Sequence, residues 1–373
     1  MNIKKTIGKI HLWLGFTSGI VVFIIAVTGC LYAFQAEISK LTQSSFRKVA
    51  PQQAAYLPPT RFKEIAEKQI PGKQVHSVQY GAKDEAVCVT FFSFDPEYYY
   101  TVYANPYTGE VLKVKNMDRD FFRIVLIGHF YLWLPEKAGQ QITIYATIIF
   151  VIMMITGLIL WWPRNKAAAK QRFSIKWSAA WRRKNYDLHN VLGFYMTWVA
   201  IIMAITGLVF GWQLLANAIY KSAGGKKSLT YQEPFSDTTK IPQATLLPVD
   251  KLWGRMQQEH RDAEIIEMHF PATGKSSIEV AINTDADTYW KTDYRYFDQY
   301  TMKELPVDHI YGRFKEAKGA DKLLRMNYDI HVGAIWGLPG KILAFCASLI
   351  AASLPVTGFM IWWGRRKKKP LPK

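Results

Sequence analysis

The chain has 373 residues, of which 50% are hydrophobic and 14% aromatic, with a net charge of +18 and only three cysteines. Cys30, Cys88 and Cys346 can build neither a disulfide framework nor a CxxC metal site. No GxGxxG or P-loop is present, so no nicotinamide or nucleotide domain is assigned to the chain.

A mean hydropathy near zero conceals four long uncharged runs, Leu12–Phe34, Ala138–Trp162, Asn190–Tyr220 and Ile342–Gly364. Each exceeds the about 20 residues needed to cross the roughly 30 Å hydrocarbon layer of a bilayer. Basic residues cluster on alternate sides of these runs. The N-terminus, the loop 163–188 and the C-terminal tail carry three, eight and six Lys/Arg against Asp187 alone, a net +16, while the segments 35–137 and 216–340 sum to +1. This is the positive-inside pattern. It predicts four spans with both termini cytoplasmic, and it assigns the excess charge to topology and not to nucleic-acid binding. The N-terminal run lacks a cleavage-site pattern and reads as a retained anchor.

In chain order, the first span (1–35) leads into an outer segment (36–120). There a polar helix near Thr60–Gln69 precedes β-rich runs at Gln74–Tyr80, Glu85–Phe92 and Tyr98–Ala104, and the turn Asn105-Pro106-Tyr107-Thr108-Gly109 introduces Glu110–Lys115. An apolar lead-in with His129 and the second span follow (121–163), ending in Trp161-Trp162-Pro163-Arg164, an interfacial tryptophan pair beside an arginine. After the basic loop (164–188) the pattern repeats. The third span (189–216) precedes a second outer segment (217–320), with a helix near Val249–Glu259 and strands near Glu264–Phe270, Ser277–Asn283 and Tyr289–Tyr296. Met302 stands where the first copy has the turn residue Gly109. A lead-in with His331 and the fourth span (321–364) precede the basic tail (365–373). Helix, outer α+β domain, helix, used twice, predicts an α-helical membrane protein: a pseudo-two-fold bundle of four spans with two extracytoplasmic α+β domains.

The chemistry lies in the repeats. His11-Leu-Trp-Leu-Gly15-Phe16 runs on to Thr28-Gly29, and His189-Asn-Val-Leu-Gly193-Phe194 runs on to Thr206-Gly207, with 17 residues from His to Thr in both. The steps from His11 to Gly29 make about five helical turns, so the imidazole, Gly15 and Gly29 share a face. The second and fourth spans end in Thr156-Gly157 and Thr357-Gly358. His11 and His189 fall at one membrane depth, His129 and His331 at the other. Zinc needs about four ligands, and no Cys, Asp or Glu joins either pair. A bis-imidazole haem needs two ligands, an apolar slot and close backbone approach. The pattern therefore predicts two haems, held without CxxCH and hence of b type, with Gly29 and Gly207 flooring the outer slot and Gly157 and Gly358 the inner one. His76, His260, His269 and His309 have no repeat partners and read as ordinary domain residues.

The HxWLGF…TG span, the NPYTGEVL turn, the histidine ahead of LP and G before the spans, and the TG…WW span ends together resemble the PepSY-associated transmembrane family. The resemblance covers nearly the whole chain. It implies haem ligation by His11, His189, His129 and His331 and two periplasmic PepSY-like domains. It also implies the activity of a bacterial inner-membrane di-haem reductase acting on ferric siderophores. Flavin-dependent domains fused to some relatives are absent here, so an unidentified cytoplasmic reductase is the expected electron donor. The near-neutral outer segments favour an uncharged or weakly charged ferric chelate. Two other functions stay open: a haem-linked donor to a partner oxidoreductase, and a haem-free sensor or assembly factor.

Overall fold

The computed structural model describes residues 3–163, 165, 166, 169, 171–240 and 248–366. The basic residues Arg164 and Lys170 and the tail beyond Arg366, part of the predicted cytoplasmic charge, lie outside the described residues. The chain divides into two compact units, one formed by residues 1–35, 124–216 and 329–373 and the other by residues 36–123 and 217–328.

The first unit is a helix bundle. Four helices among the described residues are long and apolar enough to cross a membrane: Ile3–Ala33, Glu136–Trp161, Trp181–Gly211 and Ala334–Arg366. The third begins at Trp181, ahead of the expected start at His189. Nothing breaks the helix in between, and Arg183 bonds Asp187 four residues on at 2.8 Å, a pairing that supports helix. Within this helix Leu188–Leu192 form a π-helical turn that contains His189. The first span packs against the second and fourth, and so does the third, which puts the first and third on one diagonal and the second and fourth on the other. Ala26, Ala200, Ala204, Ala347, Ala351 and Ala352 crowd the centre with Met154 and Met196. Such small residues let membrane helices approach closely where no hydrophobic effect drives them together.

The second unit is one antiparallel sheet of eight strands, where the sequence suggests two smaller ones. Its strands are β1 (Ser77–Tyr80), β2 (Val87–Phe94), β3 (Glu97–Ala104), β4 (Val111–Asn116), β5 (Ile265–His269), β6 (Ser277–Asn283), β7 (Asp293–Asp298) and β8 (Glu304–Leu305), in the order β4-β3-β2-β1-β5-β6-β7-β8. The halves join through β1 and β5, from Ser77 opposite His269 to Tyr80 opposite Ile266. The predicted strand Tyr289–Tyr296 starts later, because Thr292 N–H bonds the Tyr289 carbonyl at 3.1 Å and turns the chain there. Helices Pro59–Gln69 and Pro248–Glu259 cover one face, burying Phe62, Val78, Phe91, Leu252, Met256, Met268 and Phe297, with Tyr80 and Trp253 stacked at 3.9 Å. Residues 190 apart meet across the seam: Thr60 N–H bonds Asp250 Oδ1 at 3.0 Å, and Ser77 Oγ bonds Glu267 Oε1 at 2.6 Å.

The turn that lost its glycine keeps its shape. Met302 adopts a left-handed φ of 58°, against 76° for Gly109. Gly109 N–H bonds the Asn105 carbonyl and Met302 N–H the Asp298 carbonyl, both at 2.9 Å. Asp298 Oδ1 accepts from the N–H groups of Tyr300 and Thr301, as Asn105 Oδ1 does from Tyr107 and Thr108. The Asx side chain supplies the turn chemistry that glycine would otherwise ease.

Candidate functional site: four cradled histidines

The repeat-equivalent histidines all lie in the bundle unit, and each rests on a Thr-Gly pair from another helix. His11 Nδ1 lies 2.9 Å from Thr156 Oγ1, and a Cβ added to Gly157 would stand 3.5 Å from His11 Cε1. His129 Nδ1 lies 3.2 Å from Thr28 Oγ1 and 2.9 Å from the Ile25 carbonyl, with Gly29 at 3.2 Å from Cε1 by the same measure. In the second half, His189 Nδ1 lies 2.9 Å from Thr357 Oγ1 over Gly358. His331 Nδ1 lies 3.0 Å from both Thr206 Oγ1 and the Met203 carbonyl over Gly207.

The pairing is reciprocal. The histidine heading the first span is held by the Thr-Gly of the second, and the histidine ahead of the second span by the Thr-Gly of the first. The third and fourth spans repeat this exchange. Gly29, Gly157, Gly207 and Gly358 were expected to floor a slot for a flat ligand. In the structure the side-chain atom nearest a Cβ added at each is an imidazole carbon, so these glycines seat the histidines. Gly15 and Gly193 face neighbouring helices instead, with added Cβ atoms 3.2 Å from Met153 Cε and 3.6 Å from Leu354 Cδ2. They serve helix packing.

His129 and His331 face each other with ring centroids 6.2 Å apart, at an interplanar angle of 65°. At the other depth, His11 acts electrostatically on its repeat counterpart His189. Each pair joins elements from opposite halves of the chain. Among the described residues, no hydrogen bond reaches Nε2 of any of the four. Two imidazole–metal bonds of about 2 Å each fit within the 6.2 Å centroid separation. Among the described residues no group of three or more His, Cys, Asp or Glu is placed to hold a metal ion. The donor set therefore suits a two-ligand centre such as bis-histidine haem and does not suit a tetrahedral metal.

The threonines are the part of the site that the sequence reading passed over, although the signal was there: Thr precedes every one of the four glycines. The outer-segment histidines lie in the sheet unit, and two of them meet. His76 Nε2 and His269 Nδ1 meet at 3.2 Å beside the β1–β5 seam, and Glu267 lies 3.6 Å from His269 Nε2. Burial works against charge on His269, yet the Glu267 carboxylate outweighs it and holds the imidazole above its ordinary value, while burial and then the His269 charge hold His76 below its own. His309 is buried among Tyr231, Tyr296 and Tyr311.

Four span-length apolar helices make this a multi-pass membrane protein. The match to the PepSY-associated TM region family runs from residue 9 to residue 365, and the chain belongs to that family. Comparison with curated proteins gives no match.

Proposed function

We propose that the protein carries electrons across a bacterial inner membrane through two b-type haems, one on His11 and His189 and one on His129 and His331. On the far side it reduces a ferric chelate, such as a ferric siderophore. The observation that carries this reading is one arrangement used four times: an imidazole whose Nδ1 is already engaged, seated on a glycine and paired across the bundle. A haem held by two of these histidines would supply one-electron transfer and would leave oxygen no place to bind.

The chain's own residues do the rest. The histidines bridge the diagonals, and the alanine-lined centre excludes water between the two depths. The four uncharged runs contain no ionisable residue apart from tyrosine and cysteine, which argues against a proton or ion pathway. The charge split supports a cytoplasmic His11/His189 end and an external sheet unit whose halves are the PepSY-like domains. Electrons then enter from a cytoplasmic reductase. Reduction weakens the hold of hard oxygen donors on iron, so the metal is released without import of the chelator.

The test is to reduce the purified protein with dithionite, add ferric siderophore anaerobically, and follow haem absorbance together with ferrous iron captured by a chromogenic chelator. Reoxidation with matching ferrous iron is the expected result. Protein that stays reduced with every ferric chelate, yet is reoxidised by a quinone or a partner protein, is a donor to another oxidoreductase.

A further inference from the structure

We propose that Thr28, Thr156, Thr206 and Thr357 are positioning residues that fix the tautomer of the four histidines, placing the lone pair on Nε2 and strengthening it as a donor. This rests on the haem reading for its consequence, although the tautomer itself does not.

A threonine hydroxyl has one proton to give and two lone pairs to accept with. In each cradle that proton is already committed to the threonine's own helix. Thr28 Oγ1 donates to the Ile24 or Ile25 carbonyl at 2.7 and 3.0 Å, and Thr206 Oγ1 to Ile202 or Met203 at 2.8 and 3.0 Å. Thr156 Oγ1 donates to Ile152 or Met153 at 2.9 and 3.1 Å, and Thr357 Oγ1 to Ser353 or Leu354 at 2.9 and 3.2 Å. A carbonyl can only accept. The hydroxyl oxygen must therefore accept from the imidazole, and Nδ1 carries the hydrogen.

A second observation agrees. In the His129 and His331 cradles the carbonyl three residues before the threonine also accepts from the same imidazole: Ile25 at 2.9 Å from His129 Nδ1 and Met203 at 3.0 Å from His331 Nδ1. Two acceptors at one ring nitrogen leave a neutral imidazole a single choice, with Nδ1 protonated and Nε2 bearing the lone pair. The glycine beside each threonine lets the ring come close enough for this bond. Thr-Gly is thus one device: glycine admits the ring and threonine orients it. A ligand whose far N–H is held by an acceptor is the more basic donor, and this favours the ferric state.

Thr206→Val keeps the shape and removes the hydroxyl acceptor while the Met203 carbonyl stays, and Thr206→Ser restores the hydroxyl. With haem-loaded protein in detergent, the valine variant should show a raised midpoint potential for the outer haem and about 10- to 100-fold weaker haem retention, and the serine variant should return towards wild type. Independently, nitrogen NMR of the histidines in haem-free protein should report the Nδ1–H form for His11, His129, His189 and His331. Nε2–H histidines, or a valine variant with wild-type potential and retention, would overturn the proposal. Protein that never takes up haem would refute the functional reading, while the NMR result still decides the tautomer.

Discussion

The two halves of the bundle repeat residues, whereas the two halves of the sheet repeat only backbone. His11 and His189, His129 and His331, and all four Thr-Gly pairs have the same residue in both copies. Across the seam between the sheet's halves Ser77 donates to Glu267 and Thr60 to Asp250, and at the matching turns Asn105 and Gly109 are answered by Asp298 and Met302. The chain serves as its own control. Where a side chain has only to complete a fold, several residues do, and the backbone hydrogen bonds persist. Where it must present one atom, only one residue serves.

The largest effect should come from the residues that repeat by identity. His129→Ala or His331→Ala should lower the haem content from about two per chain to about one, leaving the inner spectrum, and His11→Ala or His189→Ala should do the converse. A pyridine haemochrome count measures this, and an unchanged count in all four variants would remove these ligands from the account.

Glycines separate the two kinds of repeat next. Gly29→Ala and Gly15→Ala each place a Cβ 3.2 Å from a neighbour, but the first meets the His129 imidazole and the second the flexible end of Met153. The outer-haem spectrum should change in Gly29→Ala and stay as wild type in Gly15→Ala. Equal loss of bundle stability with both haem spectra intact would reduce Gly29 to helix packing.

In the sheet, the turn should behave as backbone alone. Gly109→Ala meets both a left-handed φ and Ile65 Cδ1 at 2.6 Å, so it should cost more than the ~1–2 kcal/mol of the conformation itself. Met302→Gly relieves the same conformation and should stabilise by up to ~1 kcal/mol. Thermal unfolding of the full chain in detergent checks both signs.

The smallest effect concerns charge. Glu259 is held down to about 2, chiefly by the Arg295 hydrogen bond and against the opposing effect of burial. A lowered folded value means that its contribution is present above the ordinary value of 4.5 and is lost as pH falls from there towards about 2. Glu259→Gln should flatten the pH dependence of the unfolding midpoint in that window. A parallel dependence in both proteins would assign it to other carboxylates.

Spacing within a helix tells which residues share a face, and so the histidines and glycines stood out in the sequence. It does not tell which helix that face meets. His11 and Gly29 lie on one span, yet His11 is seated by Gly157 and Gly29 seats His129. The β1–β5 seam was hidden for a related reason: alternation marks Ser77–Tyr80 and Ile265–His269 as strands but carries no record of their neighbour. Met302 disguised a turn because it adopts the left-handed φ itself, while Asp298 makes the same side-chain bonds as Asn105. The early start of the third span at Trp181 was obscured by its charged first turns, which resemble a loop until the Arg183–Asp187 pair is seen.

The central claim is that the four cradled histidines bind two haems. A visible spectrum of the purified protein, oxidised and then dithionite-reduced, tests it most directly. The expected result is b-type bands with a pyridine haemochrome count of about two per chain. Protein purified from haem-replete cells that shows no haem absorbance would contradict it.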